Sequence, residues 1–339
     1  MKKSEGGKYK SITFFLPIRN ESSNITKKLD EIISSKYPDE LKTILVIDSC
    51  SVDNSVIIAE EYLKKNSTGI PWKVESITPP GKSYAVNLAL DTFETEILLM
   101  MDSDSLISKN SFERISLCFD DDSIGAVCGK SGSGSTDGGS KYRQNFNNIR
   151  LKESSIDSTP IFEGSICAFR KEAIGSDRIN PEINADDTQL SIISRRNGFR
   201  SIMDHNIEFL DKSEKPTRSR LVRRSQGLFR ALASNSEMTF GKGVYSWFFS
   251  NALFFYLVMP WFFVLSIISL TLYLTIDTPQ LSDYSFGQFP YLLLILVIIS
   301  RYLRFIVEYL VGVSILLESQ IRLLLGQKLH VWDPAKKSS

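Results

Sequence analysis

Residues 95–104 read TEILLMMDSD: five consecutive apolar residues, then two aspartates separated by one serine. An uninterrupted apolar run of this length predicts a strand that is covered on both faces, as in a parallel sheet flanked by helices. Asp102 and Asp104 follow the end of this strand, where two carboxylates can bind one hard cation and, through it, the phosphates of a nucleotide. Aspartate and serine are also ordinary turn residues, so the pair alone is a weak signal.

The sequence around this strand alternates strand and helix patterns. Strands are predicted at 11–18, 43–48, 73–78, 96–101 and 124–128, with a further apolar segment at 162–169, and helices at 25–35, 52–65 and 186–196. This alternation predicts right-handed βαβ units in an α/β domain, whose ligands bind beyond the carboxyl ends of the strands. Carboxylates follow three of these ends, at Glu21, at Asp48 and at the aspartate pair.

Charge and cysteine content exclude several classes of protein. The chain of 339 residues has 40 basic and 39 acidic residues, unlike a dedicated nucleic-acid binder, so no nucleic-acid partner is expected. A hydrophobic fraction of 42% excludes global disorder. Four cysteines and two histidines without metal-ligand spacing argue against a zinc site or a disulfide framework. The first apolar run is short and is interrupted by Pro17 and Arg19, so we expect no secretory signal peptide.

Two apolar blocks near the C terminus predict membrane attachment. Residues 243–276 contain no charged residue and exceed the roughly 20 residues that span a bilayer, with Pro260 as an expected kink. A second apolar run at 289–300 continues past Arg301 and Arg304 to residue 317. We therefore expect two membrane helices, or three if the second run divides.

The distribution of basic residues predicts how these helices are oriented. Basic side chains are dense at 212–230 and recur at 328–337, whereas the segment between the apolar blocks has only Asp277 and Asp283 as charged residues. The positive-inside rule then places both ends of the membrane region in the cytoplasm. We expect a multi-pass protein of the cell membrane whose N-terminal domain faces the cytoplasm.

Five short stretches, taken together, resemble the motifs of the family 2 glycosyltransferases. They are Leu16–Glu21, Val46–Ser55, Gly81–Asn87, Asp102–Asp104 and Asp186–Leu190, and they occur in the family's order within residues 11–230. The resemblance implies the GT-A nucleotide-sugar fold, a Rossmann-like mixed α/β sheet, here followed by C-terminal transmembrane helices.

The resemblance also implies a donor site. The residues that match the family's donor-binding positions are Pro17, Arg19, Glu21, Asp48, Lys82, Asn87 and Asp102. In the family, the residues at the positions of Asp104 and Asp102 hold a divalent metal, Mg²⁺ or Mn²⁺, on the diphosphate of the nucleotide sugar. The resemblance therefore implies this role for both aspartates. One departure from the family is Ser49, where many members have a second aspartate.

A single carboxylate suffices for inverting transfer, because only the acceptor hydroxyl has to lose a proton. The resemblance assigns this role to Asp187 and an orienting role to Asp186, although an aspartate at the start of a helix is commonly a capping residue. Gly164 matches the acceptor-side segment of the family. Three arginines in the basic run are expected near a diphosphate or a lipid-linked phosphate, because guanidinium groups match phosphate oxygens: Arg220, Arg223 and Arg224.

These observations predict a membrane-anchored, inverting and metal-dependent glycosyltransferase with a membrane-associated acceptor, such as a polyprenyl phosphate, a lipid-linked glycan or a glycolipid. The expected parts are a cytoplasmic domain at 1–230, a juxtamembrane linker at 231–243, a membrane region at 244–325 and a tail at 326–339. Processive members of the family carry a Gln-x-x-Arg-Trp signature that is missing here, which disfavours a processive polysaccharide synthase. A catalytically silent sugar-nucleotide-binding protein and a nucleotidyltransferase stay as alternatives.

Overall fold

The computed structural model describes residues 9–108, 110–132, 140–211, 216–276 and 289–329. The strands are β1 (Ile12–Ile18), β2 (Lys42–Asp48), β3 (Trp72–Ser76), β4 (Ile97–Met101), β5 (Ser105–Ile107), β6 (Ile124–Ser131), β7 (Ile166–Arg170) and β8 (Arg200–Asp211). The helices are α1 (Ile25–Ile33), α2 (Ser55–Asn66), α3 (Lys82–Thr92), α4 (Ser111–Cys118), α5 (Ser140–Ile156), α6 (Lys171–Ile174), α7 (Asp186–Arg196), α8 (Arg218–Ala233), α9 (Val244–Leu253), α10 (Met259–Ile276) and α11 (Phe289–Leu324).

The described strands form one mixed sheet in the order β3-β2-β1-β4-β7-β6-β8-β5. β1 pairs in parallel with β2 and β4, and β2 pairs in parallel with β3, so the carboxyl ends of these four strands lie at one edge. β7 runs antiparallel to β4, with Ile166 opposite Met101. The segment that leads into β7 therefore reaches the same edge, and the predicted α/β sheet is confirmed.

Two apolar layers cover the sheet because successive side chains of a strand point to opposite faces. In β1, Phe14 packs on the side of α1 and α2, whereas its neighbour Phe15 packs on the side of α3 and α7. Both rings are fully buried. This two-sided burial explains why the central strands consist of uninterrupted apolar runs and not of alternating polar and apolar residues.

The strands and helices that the sequence predicts are present with shifts of a few residues, and the structure adds two strands and five helices to them: β5, β8, α3, α4, α5, α6 and α8. The sequence does not predict β8, because charged residues interrupt its apolar positions. The predicted apolar segment at 162–169 becomes a strand only from Ile166, and residues 162–165 form an irregular segment before it. The glycine- and serine-rich stretch at 131–140 lies mostly outside the described residues, as do Asp277, Asp283 and residues 330–339 of the predicted tail.

Within the described ranges, one helix is long and apolar enough to cross a membrane: Val244–Tyr273, with a mean hydropathy of 2.2. It consists of α9, a π-helical turn at Phe254–Val258 and the start of α10. The second predicted apolar run belongs to α11, which is one continuous helix of 36 residues and is not divided. The structure thus supports one membrane helix by length and composition, and further spans stay a prediction.

Pro260 determines how α10 meets α11. Because proline has no N–H group, the carbonyl of Tyr256, four residues earlier, lacks its usual helical donor. Gln320 of α11 replaces that donor, with its Nε2 at 2.8 Å from the Tyr256 oxygen. Its Oε1 accepts a hydrogen bond from Trp261 Nε1 at 2.6 Å. The carbonyl that Pro260 leaves without a helical donor therefore takes part in a specific contact between two apolar helices, α10 and α11.

α8 connects the sheet domain to the end of α11. The buried Gln226 donates to the carbonyls of Ser319 (3.2 Å) and Gln327 (2.9 Å) and accepts from the amide of Leu329 (2.7 Å). The domain boundary expected at residue 230 falls inside this helix, which continues to Ala233. The helix is therefore part of both regions.

Gly227 lets α8 approach the loop before α7. A Cβ at this position would lie 2.9 Å from the carbonyl oxygen of Asn184 and still closer to its side-chain oxygen. We expect Gly227→Ala to lower the free energy of unfolding by about 1–3 kcal/mol, as overpacking does. The same change in an unhindered helix stabilises by up to about 1 kcal/mol. Thermal denaturation of the purified protein, with Ser225→Ala as a matched control, checks this expectation, and a stabilised Gly227→Ala variant would contradict it.

Candidate active site

A cleft with a volume of about 320 Å³ opens at the carboxyl edge of β1, β2 and β4. The start of α3, the segment before β7, the start of α7 and one face of α8 complete its walls. Twelve of the fourteen site residues predicted from the sequence line it: Pro17, Arg19, Glu21, Lys82, Asp102, Asp104, Gly164, Asp186, Asp187, Arg220, Arg223 and Arg224. Their convergence follows from the topology, since strand ends of one direction share an edge.

Asp48 and Asn87 are the two predicted donor-binding residues outside the lining of the cleft. The carboxylate of Asp48 is buried and accepts from the backbone amide of Ser51, at 3.2 and 3.1 Å. The amide of Asn87 bonds the backbone of Ile179 in both directions, at 2.9 and 3.1 Å. Both side chains hold loops in place in this structure.

Lys82 is the charged centre of the cleft. Its Nζ lies 2.9 Å from Oδ1 of Asp102 and 3.4 Å from Oδ2 of Asp186. Burial would lower the pKa of this amine, but Asp102 and Asp186 raise it well above its ordinary value. Burial likewise would raise the pKa of Asp102, and Lys82 lowers it. Lys82 therefore stays protonated, and Asp102 stays ionised.

The backbone just before Lys82 is fixed by Ser49. The hydroxyl oxygen of Ser49, at the end of β2, accepts a hydrogen bond of 2.6 Å from the amide of Gly81. This contact satisfies a backbone donor at the start of α3. The serine that departs from the family's pattern thus helps to set the position of Lys82.

Asp187 lies in the first turn of α7, where its Oδ1 accepts from the amide of Thr188 at 2.7 Å. Burial, and then the negative charge of Asp186, raise the pKa of Asp187 to about 7, although Lys82 opposes this shift. The N-cap position belongs to Ala185, so Asp187 is not the N-cap residue of this helix. A carboxyl group with this pKa can accept a proton near neutral pH.

Gly164 gives the carboxylate of Asp187 its space. A Cβ on residue 164 would lie 2.9 Å from Oδ2 of Asp187, which is closer than side-chain carbons normally approach. The predicted acceptor-side residue therefore contacts the candidate base directly. Any larger residue at this position would displace the carboxylate.

Three arginines of α8 form a positive wall opposite the aspartates. Burial, and then the charges of Arg224 and Arg220, lower the pKa of Arg223 to about 10. Its buried Nε has no hydrogen-bond partner among the described residues. A wall of like charges in a partly buried cleft favours an anionic ligand, and guanidinium groups match phosphate oxygens.

Arg150 of α5 is a cleft residue that the sequence did not reveal. It pairs with Glu163, next to Gly164, and only 9% of its surface is exposed. α5 is mostly polar, and no motif or periodicity distinguishes Arg150 from its neighbours. A buried arginine of this kind becomes visible only when the tertiary structure is known.

The aspartate pair after β4 is chemically suited to a divalent cation. Among the described residues, no cluster of three or more histidine, cysteine or acidic side chains is placed to enclose a metal. Mg²⁺ commonly binds through one or two carboxylates and completes its coordination with substrate phosphates and water. Asp104 and Asp102, both in the cleft lining, fit a site of that open kind.

Comparison of the sequence with known proteins gives partial matches. A 98-residue stretch is 30% identical to the poly(ribitol-phosphate) β-N-acetylglucosaminyltransferase TarS of Staphylococcus aureus and covers 29% of this chain and 17% of that protein. A 128-residue stretch is 29% identical to the poly-β-1,6-N-acetyl-D-glucosamine synthase of Staphylococcus epidermidis, covering 38% and 30%. The matched stretches thus span less than a third of these curated relatives.

Solved structures share the fold at low sequence identity. The mannosyltransferase PcManGT of Pyrobaculum calidifontis, in complex with GDP-Man and Mn²⁺, superposes with a TM-score of 0.78 at 20% identity and covers 94% of this chain and 88% of that one. TarS residues 1–349 of S. aureus, in complex with UDP-GlcNAc, superpose with a TM-score of 0.53 at 18% identity, covering 72% and 70%.

The model of the family "Glycosyl transferase family 2" matches residues 13–176, from β1 to the residues just after α6. This range includes Lys82, the aspartate pair and Gly164. It stops before Asp187 and the arginines of α8. Residues 13–176 of this chain, just under half of its length, are therefore similar to the family 2 glycosyl transferases.

Proposed function

We propose that this protein is a membrane-anchored, inverting glycosyltransferase that moves a sugar from a nucleoside diphosphate donor to a membrane-associated acceptor. One observation carries the proposal: a single cleft brings together Asp187, the Lys82–Asp102 pair and the arginines of α8. These groups are a base, a fixed charge pair and an anion-binding surface, which are the parts that sugar transfer from a diphosphate needs.

The donor binds along the carboxyl edge of the sheet. Pro17 and Glu21 line the end of the cleft at β1, where a base and ribose fit, and the arginines of α8 face the diphosphate. A divalent cation held by Asp104 and Asp102 would neutralise the charge that develops on the diphosphate as it leaves. The complexes of PcManGT with GDP-Man and of TarS with UDP-GlcNAc support this class of donor.

Asp187 removes the proton from the acceptor hydroxyl. The hydroxyl oxygen forms a bond to the anomeric carbon while the bond from that carbon to the diphosphate oxygen breaks, and the proton moves to the Asp187 carboxylate. Because one displacement occurs on the face opposite the leaving group, the configuration inverts. The raised pKa of Asp187 gives the base its affinity for this proton at neutral pH.

The acceptor is presented at the membrane surface. The cleft residue Ile161 packs in one apolar cluster with Tyr245 and Phe249, at the start of the apolar helix. Trp247 and Phe240 are largely exposed beside this cluster, as is typical of aromatic residues at a membrane interface. A polyprenyl phosphate, a lipid-linked glycan or a glycolipid held there has its reactive group near the cleft, on the cytoplasmic side that the basic residues favour.

A processive polysaccharide synthase is the second candidate, and the similarity to the poly-β-1,6-N-acetyl-D-glucosamine synthase supports it. The missing Gln-x-x-Arg-Trp signature favours transfer of one or a few sugars instead. A silent sugar-nucleotide-binding protein is disfavoured by Asp187, because binding alone does not need a base. The length of the glycan product distinguishes the two kinds of enzyme. Turnover of the donor distinguishes both of them from a protein that only binds the sugar nucleotide.

The first test is turnover with a donor panel. Purified protein in lipid extract is incubated with UDP-, GDP- and CDP-sugars and either Mg²⁺ or Mn²⁺. We expect one donor to label an extractable lipid with a short glycan, and chelation to abolish labelling. Long water-soluble chains would instead support the processive alternative, and nucleotide binding without turnover would support the silent one.

Two isosteric variants separate chemistry from donor binding. Asp187→Asn should lower kcat by about 10²–10⁴-fold, the usual contribution of a general base, with little change in donor affinity. Asp104→Asn should instead weaken metal-dependent donor binding. Single-turnover rates and calorimetric titration with the donor measure the two effects. Full turnover by Asp187→Asn would contradict its assignment as the base.

The pH profile tests the electrostatic environment of Asp187. Since the base must be unprotonated and its pKa is raised to about 7, kcat/KM should fall as the pH drops below 7. Asp186→Asn removes the nearest negative charge and leaves Lys82 in place, so the acidic limb should move to lower pH. Glu163, whose charge Arg150 balances, is unchanged in this variant. If the acidic limb of the kcat/KM profile does not move in Asp186→Asn, a group other than Asp187 controls the pH dependence.

A further inference from the structure

Arg150 is a buried charge in the cleft that the proposed reaction does not use. It reaches the cleft from α5, and its guanidinium pairs with Glu163. A buried charged pair is costly to separate, since either partner alone would lie uncompensated in a poorly solvated place. The pair therefore fixes where residue 163 lies relative to α5.

Tyr256, in the π-helical turn of the apolar helix, packs against the cluster that contains the cleft residue Ile161, and its phenol is near enough to interact with the charge of Arg150. The backbone of Tyr256 is itself fixed, because its carbonyl accepts the Gln320 side chain in place of the missing N–H of Pro260. Tyr256 thus has one contact to α11 and another to the wall of the cleft. Through Arg150, the apolar helix is connected to Glu163.

The connection continues to the candidate base. Glu163 directly precedes Gly164 in the chain. Residue 164 lies so near Asp187 that a Cβ on it would be 2.9 Å from Oδ2 of Asp187. A shift of this segment by a fraction of an ångström would therefore crowd or release the carboxylate. Such displacements matter because misplacement of a reacting group by about 1 Å can cost about 10²-fold in rate.

We propose that Arg150 and Tyr256 are positioning residues that tie the apolar helix to the segment Glu163–Gly164, against which Asp187 rests. The membrane-side helix is then a structural support of the catalytic base as well as an anchor. This inference rests on the proposed glycosyl transfer for its kinetic consequence. Its structural part, the connection from Tyr256 to residues 163 and 164, holds independently of the reaction.

Tyr256→Phe is the first variant, because it removes the phenol oxygen and keeps the ring. We expect kcat to fall about tenfold, the lower end of the roughly 10–100-fold loss that follows removal of the hydrogen-bond partners of metal-ligating side chains, while KM for the nucleotide sugar stays unchanged. Tyr273→Phe is the matched control: it makes the same change in the same helix, at a side chain that is 58% exposed. The control should behave as wild type.

Arg150→Lys is the second variant, because it retains the positive charge that Glu163 requires and removes the planar fork. We expect the same selective loss of kcat. The double variant with Tyr256→Phe should lose no more than the more affected single variant, since both changes break one connection. Independent, multiplying losses would overturn the proposal, as would wild-type kcat in both single variants.

Hydrogen exchange provides a readout that needs no turnover. Tyr256→Phe should speed exchange of the amides at 163–165 in the full-length protein, and Tyr273→Phe should not. If wild type turns over no donor but this difference appears, the proposed function fails and the connection stands. If wild type is active and neither exchange nor kcat responds to the variants, the connection is refuted and the proposed function stands.

Discussion

The candidate site depends on one interaction, the contact of Lys82 with two carboxylates that are distant in sequence. Asp102 follows β4 and Asp186 begins α7, so the amine joins the edge of the sheet to the helix that carries Asp187. Without this cation, Asp102, Asp186 and Asp187 would face one another as like charges in a partly buried space. The pKa of Asp187, which Lys82 holds down, would then rise further. Lys82 thus lets Asp102 stay ionised while Asp187 keeps a pKa near neutrality.

Positive charge is concentrated where α8 lines the cleft, at Arg220, Arg223 and Arg224. Burial, and then the charges of Arg224 and Arg220, lower the pKa of Arg223, and its Nε is buried without a hydrogen-bond partner among the described residues. Such an arrangement is unfavourable in the free protein and becomes favourable when a polyanion binds. The helix is nevertheless held in place, because Gln226 bonds the end of α11 and Gly227 permits contact with the loop before α7.

The sequence could predict the sheet and most of the cleft, because both depend on local patterns. An apolar run of five residues predicts a buried strand, and parallel strands bring their carboxyl ends together. Asn87 shows the limit of this reasoning: its side chain bonds Ile179 and does not line the cleft, which depends on the rotation of α3. Arg150 shows another limit, since its role depends on three segments that only the tertiary structure assembles.

Pro260 shows how a local rule acquires a long-range consequence. From the sequence, proline predicts only that a helix is disturbed and that one carbonyl loses its donor. In an apolar environment that carbonyl needs a replacement, because an unsatisfied backbone group costs several kcal/mol in lipid. The replacement is Gln320, which brings α11 against α10 and holds the turn that contains Tyr256. A defect in one helix therefore defines the place where the apolar region meets the cleft.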